Sequence, residues 1–165
     1  KYIYPIAETF CYCLMPNHIH FLIRIRDLDV LKGFFGSPNQ AGFQNPPDLA
    51  DGHHLSNLLS KQVGNLFNSY SKAFNKQQNR KGSLFMSPFK RIRISDDEYL
   101  YKLVHYIHYN PVKAGLCNQA VEWKHSSFGT LVQNRPTFLN KEEIISWFND
   151  LENFQDFHLQ LPAQL

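Results

Sequence analysis

The order of hydrophobic patterns along the chain predicts an α+β fold in which helices pack on an antiparallel sheet. Three observations carry the prediction. Residues 18–26 (HIHFLIRIR) alternate with the period of a strand, residues 55–78 repeat apolar positions with the period of a helix, and an acidic cluster at 96–98 opens a second helical pattern. At 165 residues the chain has the length of one ordinary domain. A single domain over 1–165 is therefore expected, with a surface loop at 33–54 and a helical tail at 140–165. Hydrophobic residues at 43% against 19% charged, with a net charge of +3, exclude disorder as the main theme.

Each element has its own justification. Residues 9–14 (TFCYCL) read as a strand, 15–17 as a turn and 18–26 as the partner strand of an antiparallel hairpin. Between Gly33 and Gly52 lie four glycines and three prolines, the composition of a long loop. Apolar residues at 55, 58, 59, 63, 66, 67, 70, 73 and 74 then define an amphipathic helix whose other face carries lysines. Gly82 breaks the chain. Residues 89–95 (FKRIRIS) alternate basic and apolar side chains and predict a strand with one wet, cationic face. Ser95 or Asp96 caps a helix whose acidic first turn suits the positive end of the helix dipole. That helix is expected to end near Tyr109, because Pro111 disfavours helical geometry at Asn110. A last helix is expected over about 140–153.

Some classes of protein drop out at once. The uncharged stretch 9–23 is fifteen residues long and contains Pro16, Asn17, His18 and His20, whereas a membrane span needs about 20 mostly apolar residues. Three cysteines, an odd number, do not make the framework of a small secreted domain, so a reducing, cytoplasmic setting is expected. The chain starts at Lys1 without methionine or a signal-like segment, and part of the natural N-terminus is expected to be missing.

Charge is segregated along the chain. Residues 52–95 hold no acidic side chain and eight basic ones: Lys61, Lys72, Lys76, Arg80, Lys81, Lys90, Arg91 and Arg93. Residues 141–156 reverse the balance, with five acidic side chains against Lys141. A basic, acid-free segment containing Phe67, Tyr70, Phe74, Phe85 and Phe89 is suited to neutralising phosphates and stacking bases. A solvated helix face with its aromatics turned inward has the same composition, so charge alone does not identify the partner.

Two small constellations carry possible chemistry. His18 and His20 share one face of their strand, with Ile19, Phe21, Ile23 and Ile25 expected to face a core on the other. Two imidazoles at one edge are natural ligands for a divalent metal, although most His-x-His pairs are simply hydrogen-bonded or solvated. Cys11 and Cys13 on the neighbouring strand would allow a structural zinc if the hairpin register faced them to the histidines. Tyr106 and Asn110 are four residues apart and stack on one helix face, beside a core stripe of Leu100, Leu103, Val104 and Ile107. A lone tyrosine in such a helix is usually a packing residue.

Taken together, these residues resemble a known family. The string from Leu14 to Leu22 (LMPNHIHFL) is similar to the metal-binding signature of the HUH (histidine, hydrophobic, histidine) single-tyrosine transposases. The string from Tyr106 to Leu116 (YIHYNPVKAGL) resembles the nucleophile motif of their REP-associated tyrosine transposase branch. GSLFMSPFK at 82–90 and EWKHSSF at 122–128, with Trp123, Ser126 and Ser127, fit the same pattern, so the resemblance spans about 10–128. It implies a ferredoxin-like or RRM-like antiparallel sheet, with the histidines on a central strand and the tyrosine on a helix beside it. Relatives usually begin with a further strand, which nothing before Lys1 supplies here.

By this resemblance His18, His20 and Asn110 are the metal ligands, Asn110 standing where relatives often use glutamine, and Tyr106 is the nucleophile. The implied cofactor is a divalent metal, Mg2+ or Mn2+. Such an ion would polarise a scissile phosphate and orient it for in-line attack by the phenol, leaving a 5′-phosphotyrosine and a free 3′-hydroxyl. The implied partner is single-stranded or hairpin DNA; the acid-free segment supplies a track for it, with Arg80, Lys81, Lys90, Arg91 and Arg93 as the expected phosphate contacts and Lys113, just after the nucleophile helix, as a weaker one. His105 and His108 flank the tyrosine as possible aids to its proton. Either a monomer or a homodimer fits the family. A non-catalytic relative that only holds structured nucleic acid is the alternative.

Overall fold

The computed structural model describes residues 2–36, 52–86, 88–133 and 136–160. It shows the α+β class, with elements β1 (Ala7–Leu14), β2 (Ile19–Ile25), α1 (Leu28–Phe35), α2 (Gly52–Gln77), α3 (Asp97–Lys113), α4 (Phe128–Val132), α5 (Lys141–Ser146) and α6 (Leu151–Leu159), and a 3-10 turn at Ala120–Glu122. Among the described residues the sheet has two strands, β1 paired antiparallel with β2. The chain divides into two units, Lys1–Ala7 with Ile25–Ile92 and Glu8–Arg24 with Arg93–Leu165.

The first unit is built on α1 and the long helix α2. Ile6, Leu31, Phe35 and Leu58 are buried in it, and Gln62 on α2 donates from its amide to the Tyr2 carbonyl at 3.2 Å. Beyond α2 the chain turns at Asn79 and Gly82, both at positive φ, and Asn75 donates to the Gly82 carbonyl at 2.8 Å. Phe85 and Phe89 then pack on Phe67 at ring separations of 4.8 and 5.8 Å. Residues 89–95 form no strand. Their cationic positions stay exposed and so does Ile92 at 76%, while Phe89 and Ile94 are partly buried, so the apolar positions do not form one continuous buried face. The expected loop at 33–54 is also revised at both ends: Gly33 to Phe35 belong to α1 and residues 52–54 to α2. Residues 37–51, where the rest of that loop falls, lie outside the described residues.

The second unit gathers one core from β1, Leu22 of β2, and the helices α3 to α6. Phe10, Cys11, Cys13, Val104, Ile107, Leu131, Ile144 and Phe154 are its centre, each 3% exposed or less. Phe10 and Cys11 are successive, so β1 is buried on both faces. On β2 the expected faces are exchanged. Leu22 is buried at 7% while Phe21 and Ile25 are exposed at 39% and 41%. His20 and Leu22 share a face, and the histidine face is therefore the one turned to the core.

Two helix boundaries also differ from expectation. Asp96 caps α3 as the sequence indicates, its carboxylate accepting from the Glu98 N–H at 3.0 Å. The helix does not stop at Tyr109 but runs through Asn110 and Pro111 to Lys113. A Schellman closure holds this last turn: Leu116 N–H donates to the Pro111 carbonyl and Gly115 N–H to that of Val112, both at 2.9 Å, with Gly115 at φ +68°. Burial of Pro111 adds to it. The single helix expected at 140–153 is instead α5 and α6. Asn149 at φ +71° ends the first stretch, and the Asp150 carboxylate caps α6 by accepting from Asn153 N–H at 2.8 Å. The expected tail is core: Phe154 and His158 of α6 are both buried.

Candidate active site

The tight turn between β1 and β2 sets His18 just before β2 and His20 within it, with Met15 N–H donating to the His18 carbonyl at 2.9 Å. Their rings stand edge to face at 4.8 Å between centroids. Asn17, immediately before the pair, accepts from His18 Nδ1 at 2.6 Å and so directs His18 Nε2 away from it. His20 is more enclosed. Its Nε2 is buried with no hydrogen-bond partner, and burial first, then the neighbouring His18, lowers its pKa below the ordinary imidazole value. A neutral ring with a free lone pair is the form that binds a metal.

Helix α3 supplies the other side. The Tyr106 ring lies 5.5 Å from that of His20 at an interplanar angle of 78°, and Lys113 Nζ lies 5.9 Å from the Tyr106 ring centre. Positions 106, 110 and 113 follow the i, i+4, i+7 spacing of one helix face. Asn110 is buried, and its amide nitrogen donates to the Tyr106 carbonyl at 2.8 Å. The side-chain oxygen is thereby left as the group available to a ligand. The contacts thus link His18, His20, Tyr106 and Lys113, with Asn110 one turn along from the tyrosine.

The donor set suits a divalent cation. An unpartnered buried imidazole nitrogen beside a second imidazole, together with the Asn110 carboxamide oxygen one helical turn from Tyr106, is the mixed N and O donor type that manganese accepts readily and magnesium less so. The zinc reading finds no support: Cys11 and Cys13 are buried among the core residues, and among the described residues no three His, Cys, Asp or Glu side chains gather to hold a metal.

The remaining candidates are elsewhere or otherwise engaged. Arg80, Lys81, Lys90 and Arg91 are exposed in the first unit and Arg93 in the second. Arg91 is tied down, its guanidinium donating to Ser60 Oγ at 2.5 Å and Ser56 Oγ at 3.2 Å. Arg80 rests over the Phe74 ring at 5.9 Å. The aromatics of this segment are mostly spent on one another, with Tyr70 also 5.9 Å from Phe85 and still half exposed. His105 and His108 turn into the core, where His105 packs on Phe157 at 5.2 Å and His108 bonds to His158 and Ser127. They are not proton carriers for the phenol. Asn17 is the site residue that sequence reasoning passed over, although it sits inside the quoted LMPNHIHFL string. His158 gave no signal, because its partner is 50 residues away.

This chain is 30% identical over 125 residues to a Haemophilus influenzae (strain ATCC 51907 / DSM 11121 / KW20 / Rd) protein that carries the provisional name REP-associated tyrosine transposase. The match takes in 76% of this chain and 60% of that relative's length. No protein-family model matches, and no solved structure matches. Among the described residues no helix is long and apolar enough to cross a membrane.

Proposed function

We propose that the protein is a DNA transposase whose strand cleavage is carried out by Tyr106 at a divalent-metal site formed by His18, His20 and Asn110. The observation that carries this reading is the meeting of Tyr106 with His20, whose free Nε2 is buried beside His18, in a chain similar to a protein provisionally named REP-associated tyrosine transposase. Single-stranded or hairpin DNA is the substrate class. A bound Mg2+ or Mn2+ supplies Lewis-acid polarisation of the scissile phosphate.

The chain's own groups divide the remaining work. His18 is oriented by Asn17, and burial lowers the pKa of His20, so the His20 ring offers a lone pair rather than charge. Tyr106, half-buried and held on a capped helix, is the nucleophile: its phenolic oxygen forms a bond to phosphorus, its proton departs to solvent, and the 3′-oxygen leaves and takes a proton. Lys113, on the same helix face, places a cation where a phosphate approaching Tyr106 would meet it. Because the phosphotyrosine keeps the ester, an incoming 3′-hydroxyl reverses the step and joins strands without a nucleotide cofactor. Arg80, Lys81, Lys90 and Arg93 serve as backbone contacts that carry no sequence information.

Incubation with a labelled hairpin oligonucleotide and Mg2+ or Mn2+ tests the reading. A covalent protein–DNA adduct that Tyr106→Phe abolishes and Tyr109→Phe preserves is the expected result. Salt-sensitive binding with no adduct on any hairpin would instead make the protein a nucleic-acid binder.

A further inference from the structure

A string of hydrogen bonds runs through the core of the second unit behind the tyrosine helix. His158 Nδ1 on α6 lies 2.7 Å from the Phe154 carbonyl, His158 Nε2 lies 2.9 Å from His108 Nδ1 on α3, and His108 Nε2 lies 2.8 Å from Ser127 Oγ at the start of α4. Ser127 Oγ in turn accepts from Tyr12 N–H on β1 at 2.8 Å. His108 and Ser127 are both completely buried. A carbonyl only accepts, so with both rings neutral His158 donates from Nδ1 to Phe154, His108 donates from Nδ1 to His158, and Ser127 turns its hydroxyl to His108 Nε2, with the Tyr12 carbonyl, 3.0 Å from the same oxygen, as the competing acceptor. The Tyr12 carbonyl loses nothing, since Ser127 N–H donates to it at 2.9 Å. In this arrangement all members are satisfied without an ionised group.

The string binds α3 to strand β1 on one side and to α6 on the other. His108 and Tyr106 are two residues apart on α3, which places them on different faces of it. Rotation of the helix that lengthened the His108 bonds would swing the opposite stripe, Tyr106 with Asn110 and Lys113. Apolar contacts of Val104 and Ile107 allow sliding by a fraction of an ångström, whereas hydrogen bonds of fixed direction resist rotation.

We infer that His108, through its bonds to Ser127 and His158, is a positioning residue that sets the rotation of α3 and so holds the Tyr106 ring against His20. The inference rests on the nuclease reading for its catalytic consequence, but its geometric content stands apart from it. Ser127→Ala removes the hydroxyl at almost constant volume, and Ser127→Thr keeps it.

The experiment has two readouts. In the wild-type protein an NMR contact between the His20 and Tyr106 ring protons is expected, and imidazole 15N shifts should place the proton of both His108 and His158 on Nδ1. In Ser127→Ala the ring contact weakens and the single-turnover rate of adduct formation with the hairpin falls by about 10- to 100-fold, hairpin affinity stays within about twofold, and Ser127→Thr recovers most of the rate. A Ser127→Ala protein that keeps the ring contact, or cleaves within about twofold of wild type, overturns the inference. So does wild-type His108 carrying its proton on Nε2, a measurement that stands even if the alanine variant does not fold. Wild-type protein that forms no adduct would sink the nuclease reading alone, and the ring contact would still decide the positioning role.

Discussion

His20 and Tyr106 meet edge to face, 5.5 Å between ring centres, although 86 positions of sequence separate them. One residue comes from the only strand pair among the described residues and the other from the capped helix α3. The contact places a His-x-His motif and a tyrosine, each commonplace alone, side by side.

Tyr106→Phe should abolish the covalent adduct, by at least ~10³-fold in rate, because no other group at the site is a matching nucleophile. The ring that packs on His20 remains, so stability should change by no more than about 0.5 kcal/mol. Denaturing gels and a thermal melt check the two halves. Residual adduct at the wild-type level would show that another residue attacks.

Asn17→Ala should weaken Mn2+ binding by about 10- to 100-fold, as loss of a ligand's orienting partner usually does. The bond from His18 Nδ1 to Asn17 is the motivation. Calorimetric titration with Mn2+ gives the affinity directly, and an unchanged value would mean that His18 needs no orientation or holds no metal.

Stability should fall in mild acid. Burial, the largest cause, takes the folded pKa of His158 down to about 3, against about 6.5 for an unfolded histidine. Below pH 6.5 the unfolded chain therefore binds a proton that the folded chain refuses, and stability declines as pH drops from there towards 3 by up to about 1.4 kcal/mol per pH unit. Above pH 7 this group adds no slope. Urea melts at pH 7.5 and 5.0 should differ by about 1–2 kcal/mol, and equal midpoints would contradict the buried neutral imidazole.

Gly115→Ala should lower the melting temperature by about 2–8 °C, since a left-handed residue with a Cβ costs about 1 kcal/mol. No atom lies within 4 Å of a Cβ built there, so the penalty is conformational and not a clash. Gly115→Asn should be milder. An unchanged melt for the alanine variant would argue that the Schellman turn does not hold the end of α3.

Lys90→Ala should reduce the slope of log affinity against log salt for hairpin binding by about 0.7–0.9, the share of one phosphate contact. Arg91→Ala should also loosen the packing of residues 88–91 on α2, because its guanidinium bonds to Ser56 and Ser60. Titrations at several salt concentrations separate the two variants.

Much of this protein was decided by local sequence. The hairpin follows from alternating apolar residues around a Pro-Asn turn, the start of α3 from Asp96 and its acidic neighbours, and the family resemblance from short motifs that keep their order. These are properties of contiguous residues, so the chain reveals them without folding. Tertiary structure alone decided the rest. Which face of β2 is buried depended on β1 and the helices that cover it, and Leu22 beside His20 won over Phe21 and Ile25. Pro111 stayed helical because a Schellman turn and burial outweighed its local preference, and residues 89–95 made no strand because no neighbouring strand pairs with them in the described structure. The bonds from His158 to His108 and from His108 to Ser127 join residues 50 and 19 positions apart. Hydrogen bonds between distant buried groups exist only once packing has removed water and brought the partners within about 3 Å, which no local pattern encodes.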